Sequence, residues 1–370
     1  MVLSFFRKKQ KEKRSGPGAA YYQLLVKEVI HETSDAISII FENPEKKIKY
    51  KPGQFLSLVF RVDGEEVRRS YSFSTSPFSD GDIGVTVKRV DQGKISNYIY
   101  EKIKPGDMIE AMEPKGNFTI DVDPSAKRHI VLFAGGSGIT PLFSIGKSVL
   151  LKEPDSKVTL VYQNRNEESI IYKKTIDQYL EKYPNFSVHH ILSQPSGNWT
   201  GMRGRISKTD VDNLTKEIIV DKQHKPLFFL CGPHDMMETI LDQLDIMGVP
   251  HHDVHKESYV AASMKSASHK EIKPPEEDVI SHEVTILLNG EEFKIQVAPG
   301  AYILETALDA DINMPFSCQS GLCTACRGKL ISGQVKMDDP DGLSDEELEQ
   351  GYVLTCVSHP VTNDVVIEIG

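Results

Sequence analysis

The spacing of hydrophobic positions divides the chain into three regions. In the first, from 21 to 123, short stretches of alternating apolar and polar residues are separated by turn dipeptides. These dipeptides are Pro52-Gly53, Asp63-Gly64, Asp80-Gly81 and Pro105-Gly106. Alternation with a period of two, interrupted by such turns, is typical of antiparallel strands. The first region is therefore predicted to be an antiparallel β-barrel or a β-sandwich.

The second region alternates short apolar runs with amphipathic stretches. Strands are predicted at 129–134, 157–162, 186–192, 227–231 and 254–259, and helices at 141–151, 169–180 and 236–246. Such alternation predicts an α/β domain in which helices cover a parallel sheet. Ligands of these domains bind at the carboxyl ends of the strands.

The third region is a compact unit of about ninety residues. Alternating residues at 284–288 and 293–297 flank Asn289-Gly290, which predicts a hairpin with a type I′ turn. One helical face follows at 303–308, and strands are predicted at 352–357 and 365–369. The sequence thus predicts five segments: a basic disordered tail (1–20), the barrel (21–125), the α/β domain (126–261), a linker rich in Ser, Pro and Glu (262–281), and the last domain (282–370).

Charge is distributed unevenly over the 370 residues, whose formal net charge is −10. Residues 282–370 contain fifteen Asp and Glu against four Lys and Arg, whereas the first twenty residues contain six basic side chains and one acidic. The acidic domain either docks a basic partner or is simply well solvated. The basic tail is expected to be solvated, with weak membrane-surface contact as the alternative. Glycines and Lys147 interrupt the apolar run 130–151, which excludes a membrane span there.

Four cysteines form the most specific motif in the chain, with the spacing Cys318-x4-Cys323-x2-Cys326-x29-Cys356. This is the spacing of plant-type ferredoxins, in which three thiolates from one loop and a distant fourth hold a 2Fe-2S cluster. The fourth ligand is expected on a strand. A zinc site more often has two C-x2-C pairs, and five cysteines are too few for a disulfide framework.

Two further motifs indicate nucleotide binding. The first predicted strand of the α/β domain leads into Gly135-Gly136-Ser137-Gly138-Ile139-Thr140-Pro141. Glycines there permit either close approach of backbone amides to a pyrophosphate or a tight turn. In the barrel, Arg69-Ser70-Tyr71-Ser72 offers a guanidinium for phosphate, an aromatic face and hydroxyls, although such a strand is also common as ordinary sheet surface.

Together these motifs resemble the ferredoxin-NADP reductase family, in its modular form with a plant-type ferredoxin at the C-terminus, and the resemblance covers residues 21–370. It implies an antiparallel β-barrel flavin domain, an α/β parallel-sheet nicotinamide domain and a β-grasp ferredoxin domain. By this resemblance Arg69 holds the flavin pyrophosphate together with the 93–96 turn, Tyr71 packs on the flavin, and Ser72 lies near its reactive nitrogen. Cys231-Gly232-Pro233 lies beside the nicotinamide, and Glu257-Ser258-Tyr259 closes over the flavin.

The resemblance also defines the expected site. The cluster ligands are Cys318, Cys323, Cys326 and Cys356, and the catalytic candidates are Ser72, Cys231 and Glu257. The residues expected to bind the flavin or the nicotinamide nucleotide are Arg69, Ser70, Tyr71, Ser72, Val87, Lys88, Arg89, Gly93, Lys94, Ser96, Gly135, Gly136, Ser137, Gly138, Thr140, Pro141, Arg165, Cys231, Gly232, Pro233 and Tyr259.

The order of the domains predicts an electron path from nicotinamide to flavin to cluster. A hydride delivers two electrons, the cluster accepts one, and a flavin connects the two processes. Arg165 after the second strand favours the 2′-phosphate of NADPH over NADH, although Glu167 and Glu168 follow it. FAD is expected because the 93–96 turn suits a pyrophosphate, with FMN as the alternative.

The expected acceptor is an oxygenase or hydroxylase component, as for the reductases of bacterial multicomponent oxygenases. The alternative acceptors are another di-iron hydroxylase or a membrane desaturase. In a further alternative the chain is a redox-sensing module without turnover. No nucleic-acid partner is expected. The lack of an export signal and the oxidation-sensitive cluster lead us to expect the cytoplasm.

Overall fold

The structure is a computed structural model that describes residues 21–42, 48–62, 64–78, 81–258, 281–319, 321–338, 340 and 342–369. These residues form two compact units, one within 21–258 and the other within 281–369. The predicted tail (1–20) and all but the last residue of the predicted linker (262–281) lie outside the described residues.

The first unit begins with an antiparallel barrel. Its elements are β1 (Tyr21–Thr33), β2 (Ala36–Phe41), β3 (Phe55–Val62), β4 (Glu65–Ser72), β5 (Ile83–Lys88), α1 (Lys94–Lys102) and β6 (Met108–Met112). The strand order is β4-β3-β6-β1-β2-β5, and a bridge between Phe73 and Val85 joins the two outer strands. Alternation turns every second side chain inward, so that Ile37, Leu56 and Val85 are fully buried. The predicted antiparallel flavin domain is confirmed.

The second half of this unit is the predicted parallel sheet. Its strands are β7 (Arg128–Gly135), β8 (Lys157–Asn164), β9 (Phe186–Leu192), β10 (Met202–Arg203), β11 (Lys225–Gly232) and β12 (Val254–Ser258). Its helices are α2 (Ile139–Lys152), α3 (Lys173–Lys182), α4 (Lys208–Val220) and α5 (His234–Ile246). The order β10-β9-β8-β7-β11-β12 reverses direction between β7 and β11. Connections diverge at such a point and leave a crevice at the carboxyl ends of the two strands.

Two elements of this sheet differ from the sequence prediction. The helix predicted at 169–180 begins only at Lys173, because Tyr172 adopts a left-handed conformation (φ 61°) and residues Glu167–Ser169 form a separate 3-10 turn. Helix α4 was not predicted. It buries only Val211 and Thr215, so that its apolar periodicity is weak.

The second unit is a small sheet covered by one helix. Its elements are β13 (His282–Leu288), β14 (Glu291–Val297), α6 (Ile303–Asp309), β15 (Arg327–Ser332), β16 (Val335–Met337), α7 (Asp345–Glu349), β17 (Tyr352–Leu354), β18 (Ser358–Pro360) and β19 (Val365–Ile369). The main sheet has the order β14-β13-β19-β15-β17, with β13 and β19 parallel. Asn289 (φ 52°) and Gly290 (φ 82°) form the predicted hairpin turn. This is the predicted ferredoxin domain.

The position predicted for the fourth cysteine was wrong. Cys356 lies in a 3-10 turn, Thr355–Val357, between two short strands, and not within one continuous strand. Its turn packs against α6. Within the described residues, no helix is both long and apolar enough to cross a bilayer.

Candidate functional site

Strand β4 presents Arg69 and Tyr71 on one face. Residues two apart share a face of a strand, and both side chains are half-buried. Arg69 Nη1 donates to the carbonyl of Arg68 at 2.7 Å, and this is the one hydrogen bond that it makes among the described residues. Most of its five donors thus remain for an anion. Burial raises the pKa of the Tyr71 phenol, and the charge of Arg69 opposes that rise.

The other face of β4 is occupied by structural contacts. Arg68 is buried and its Nη2 lies 3.1 Å from Glu66 Oε1. The hydroxyls of Ser70 and Ser57 are 3.2 Å apart, and Ser72 is only 4% exposed. Any contact of Ser70 or Ser72 with the flavin would therefore come from the backbone at the end of β4.

The turn after β5 leads into an uncapped helix. Gly93 is the N-cap of α1, no side chain caps the helix, and its first turn contains no acidic residue. The first N–H groups of Lys94 and the following residues therefore suit an anion. Ser96 Oγ accepts from the Val90 amide at 3.1 Å, which fixes the turn.

Two of the predicted residues beside this turn have other contacts. The Val87 side chain is 1% exposed in the barrel core, so only its backbone could reach a cofactor. Arg89 donates to Asn97 Oδ1 at 2.7 Å and to Glu101 Oε1 at 3.1 Å. Arg89 therefore stabilises α1 directly.

The glycine loop touches the turn after β11. A Cβ atom on Gly138 would overlap the carbonyl oxygen of Cys231, and one on Gly135 would overlap Cδ of Pro233. Side chains at these two positions would separate the loops. Gly135 and Gly138 are thus required for contact between the loops, a reason that the sequence did not indicate.

Gly136 has a different environment. Its φ is +52°, and a Cβ atom at this position would have Nζ of Lys88 as its nearest neighbour, at 3.9 Å. The Tyr162 hydroxyl donates to the Gly136 carbonyl at 2.9 Å, and the Thr140 hydroxyl donates to the Ser137 carbonyl at 2.9 Å. The ammonium of Lys88, which is also 3.5 Å from Asp35 Oδ2, thus lies near the glycine loop, and a basic group beside loop backbone suits phosphate.

Cys231 and Glu257 lie side by side on neighbouring parallel strands. Their Cα atoms are register partners in the pairing of β11 with β12, as are those of Gly232 and Ser258. Cys231 is fully buried, and Glu257 is half-buried. The structure thus brings two catalytic candidates and the glycine loop to one edge of the sheet. Tyr259 lies outside the described residues.

Arg165 and Glu167 both follow the carboxyl end of β8, but their surroundings differ. Arg165 is exposed. The carboxylate of Glu167 instead accepts from the backbone amide of Ser196 at 3.1 Å and from its hydroxyl at 2.5 Å. The bond from the Ser196 hydroxyl is the main reason why the pKa of Glu167 is lowered. The Glu167 carboxylate is therefore already hydrogen-bonded within the protein, whereas Arg165 is exposed.

Helix α2 connects the two halves of the first unit through contacts that the sequence did not reveal. The Ser144 hydroxyl donates to the Thr75 carbonyl at 2.6 Å, and Lys147 Nζ donates to the carbonyl of Ser74. The hydroxyls of Ser148 and Ser76 are 2.7 Å apart. Residues 74–76 directly follow β4, so the helix that begins at the glycine loop also holds the predicted flavin strand.

The four cysteines of the second unit lie close together. The loop that carries three of them bends at Gln319 (φ 52°) and Gly321 (φ 73°). The Cys318 and Cys323 thiols interact, and their hydrogen bond raises the pKa of Cys323. The Cys356 thiol interacts with both Cys318 and Cys326. Four thiolates in one group are the ligand set of a 2Fe-2S cluster, so these residues fit it.

The surroundings of the thiols fix the loop in place. Cys326 and Cys356 are buried, and the Cys326 carbonyl accepts from the Thr355 amide at 3.2 Å and from its hydroxyl at 3.0 Å. A Cβ atom on Gly342 would lie 2.8 Å from the carbonyl carbon of Leu322, so a second loop packs closely over the first. Within the described residues, no three side chains converge as ligands of a single ion.

Three family profiles match successive parts of the chain. The oxidoreductase FAD-binding domain matches residues 22–120, the oxidoreductase NAD-binding domain matches 132–242, and the 2Fe-2S iron-sulfur cluster binding domain matches 286–361. Their order is the order predicted from the motifs.

Similar proteins cover nearly the whole chain. A 1,2-phenylacetyl-CoA epoxidase component from Escherichia coli is 31% identical over 94% of this chain and 97% of its own length. The ferredoxin reductase component of 3-ketosteroid-9-alpha-monooxygenase from Rhodococcus rhodochrous is 35% identical over 93% and 96%. The fold is similar to phthalate dioxygenase reductase, at a TM-score of 0.59 and 22% identity over 95% and 98%. The chain therefore belongs to the ferredoxin-NADP reductase family, in the form that joins FAD-binding, NAD-binding and 2Fe-2S ferredoxin domains, and it is an electron-transfer oxidoreductase.

Proposed function

We propose that this protein oxidises NADPH and passes the electrons through FAD and the 2Fe-2S cluster to a partner oxygenase. The observation that carries the proposal is that the glycine loop lies against Cys231 and near Lys88, in the same chain as a group of four cysteines. When bound, FAD accepts a hydride and releases its electrons singly.

The barrel residues bind and orient the flavin. Arg69 and the uncapped start of α1 neutralise its pyrophosphate, and Tyr71 supplies a flat apolar face. A pyrophosphate between these two groups supports FAD over FMN. Ser72, at the end of β4, would hydrogen-bond near the reactive nitrogen of the flavin through its backbone.

The crevice residues bind and orient the nicotinamide nucleotide. Gly136 and Lys88 would hold its pyrophosphate, and the Cys231-Gly232-Pro233 turn would lie beside the nicotinamide. Glu257, beside Cys231, would exclude water from the flavin. Holding the two rings in a fixed relation is the main contribution that the chain's own residues would make to hydride transfer.

Arg165 supports NADPH as the donor. An exposed guanidinium at the end of the second strand suits a 2′-phosphate. Of the two acidic residues that follow Arg165, Glu167 is engaged by Ser196, whereas Glu168 is exposed.

The acceptor is an oxygenase component. Both relatives described above are named as parts of oxygenase systems, and the likeness to the Escherichia coli protein supports phenylacetyl-CoA epoxidase as the partner. The steroid monooxygenase relative supports a different oxygenase as the second candidate. We place the reaction in the cytoplasm, where reducing conditions preserve thiolate ligands.

The test is an anaerobic titration of the full-length protein with NADPH, followed by visible absorbance and electron paramagnetic resonance. We expect flavin bleaching together with the signal of a reduced 2Fe-2S cluster. Bleaching without a cluster signal would contradict the electron path. Rapid reduction of cytochrome c supports turnover, whereas its absence with both cofactors bound would favour a redox sensor.

A further inference from the structure

A histidine close to the fourth cysteine has both ring nitrogens bonded to acceptors. His359 lies three residues after Cys356, on β18. Its Nδ1 is 3.0 Å from the Ala301 carbonyl oxygen, and its Nε2 is 3.0 Å from Oδ2 of Asp338. A carbonyl and an ionised carboxylate can only accept, so both hydrogen bonds form only when both nitrogens carry a proton. The two acceptors therefore favour the doubly protonated ring.

This histidine belongs to a small network fixed to the turn that carries Cys356. The backbone amide of Asp338 donates to the Val357 carbonyl at 2.9 Å. The Tyr302 hydroxyl donates to the same Asp338 oxygen at 3.2 Å, and the rings of Tyr302 and His359 are 4.5 Å apart. The side chain of His359 is 21% exposed and that of Asp338 is 33% exposed. The network is thus held rigidly and is partly shielded from water.

The network lies within electrostatic reach of the cluster ligand. Burial raises the pKa of Tyr302, and the charges of Asp338 and then Cys356 and Glu305 raise it further. The other charge facing His359 is Lys336, its register partner on β16, whose side chain is exposed and therefore screened. The charge of Cys356 thus acts on Tyr302, whose hydroxyl donates to the carboxylate that pairs with His359.

We propose that His359 is a tuning residue whose positive charge favours the reduced state of the 2Fe-2S cluster. Reduction adds one electron, and hence one negative charge, beside a cation that Ala301 and Asp338 hold in place. A positive charge is useful in this domain because its fifteen acidic residues, against four basic ones, oppose the addition of an electron. The inference rests on the ligation of the cluster by Cys318, Cys323, Cys326 and Cys356 proposed above.

The test is a redox titration of the full-length protein, with the reduced cluster quantified by electron paramagnetic resonance at about pH 6, where an ordinary histidine is protonated. His359→Gln removes the positive charge and retains a hydrogen-bonding side chain. At a fixed applied potential we expect the ratio of reduced to oxidised cluster to fall about tenfold, or about 59 mV for a one-electron couple. Asp338→Asn removes the negative charge at nearly constant shape and is expected to raise the ratio.

The opposite signs of the two shifts separate charge from damage to the fold. If both variants lower the ratio, the network is only structural, and the proposal is wrong. It is equally wrong if neither variant changes the ratio. The matched control is His282→Gln, because the partner of His282 Nδ1 at 3.1 Å is the neutral Asn363 Oδ1. If the unmodified protein shows no reduced-cluster signal, the cysteine ligation itself fails, and this inference fails with it.

Discussion

At the scale of single residues, we propose that Arg165 decides the choice between the two nicotinamide nucleotides. Its guanidinium is exposed at the end of β8, whereas Glu167 is bound to Ser196. We expect Arg165→Ala to raise the KM for NADPH about tenfold, because a charge-assisted bond to phosphate contributes about 1.5–3 kcal/mol. The kcat should change little. Steady-state kinetics with NADPH and NADH in parallel measure both parameters.

The comparison of the two nucleotides tests this assignment. The KM for NADH should remain unchanged, because NADH lacks the 2′-phosphate. Arg205→Ala is a suitable control, since Arg205 is also exposed and is 3.9 Å from Asp235. If Arg165→Ala raised the KM for both nucleotides equally, Arg165 would contact a part of the nucleotide that NADH and NADPH share.

At the scale of elements, α2 couples the nucleotide loop to the flavin strand. Lys147 Nζ donates to the Ser74 carbonyl, two residues after β4. We expect Lys147→Met to slow flavin reduction several-fold, because the two cofactor sites lose their fixed relation. The variant should also lose about 1–2 kcal/mol of unfolding free energy. Stopped-flow absorbance at saturating NADPH and thermal unfolding measure these two effects.

A second lysine on α2 provides the matched control. Lys152 lies over the Phe78 ring, 5.4 Å from its centroid, at the far end of the helix. Lys152→Met should leave the rate of flavin reduction unchanged. If Lys147→Met lowers stability but not this rate, the contact has no part in cofactor alignment.

At the scale of the whole molecule, the acidic ferredoxin domain should govern the encounter with the partner. We expect the rate of partner reduction to fall about tenfold as salt rises to about 0.5 M, because the Debye length then shortens to a few Å. Internal reduction of the cluster by NADPH should not change. A partner rate that is indifferent to salt would leave solvation as the reason for the acidic composition.

Charge-neutralising pairs locate the docking surface on this domain. Glu346 and Glu349 are exposed on α7, close to the loop that packs over the cysteines. Their change to glutamine should slow partner reduction more than the same change at Glu291 and Glu292, which follow the hairpin turn of β13 and β14. Equal losses would indicate that only the net charge of the domain matters.

The sequence by itself determined the three domain types, their order and the classes of cofactor. Local signals suffice for these conclusions, because a strand followed by glycines, an Arg-x-Tyr-Ser strand and a cysteine spacing each lie within a short stretch of chain. The hairpin at Asn289-Gly290 was predictable for the same reason, since two residues alone determine its turn.

Only the tertiary structure decided which groups meet across long separations in the chain. The contact of Gly138 with Cys231, the bond from Ser196 to Glu167 and the two acceptors around His359 depend on packing between distant segments. Tyr172, whose left-handed conformation precedes α3, likewise donates its hydroxyl to Thr86 in the barrel. Such contacts leave no periodic signal, because each is set by the relative placement of whole elements and not by the residues beside it.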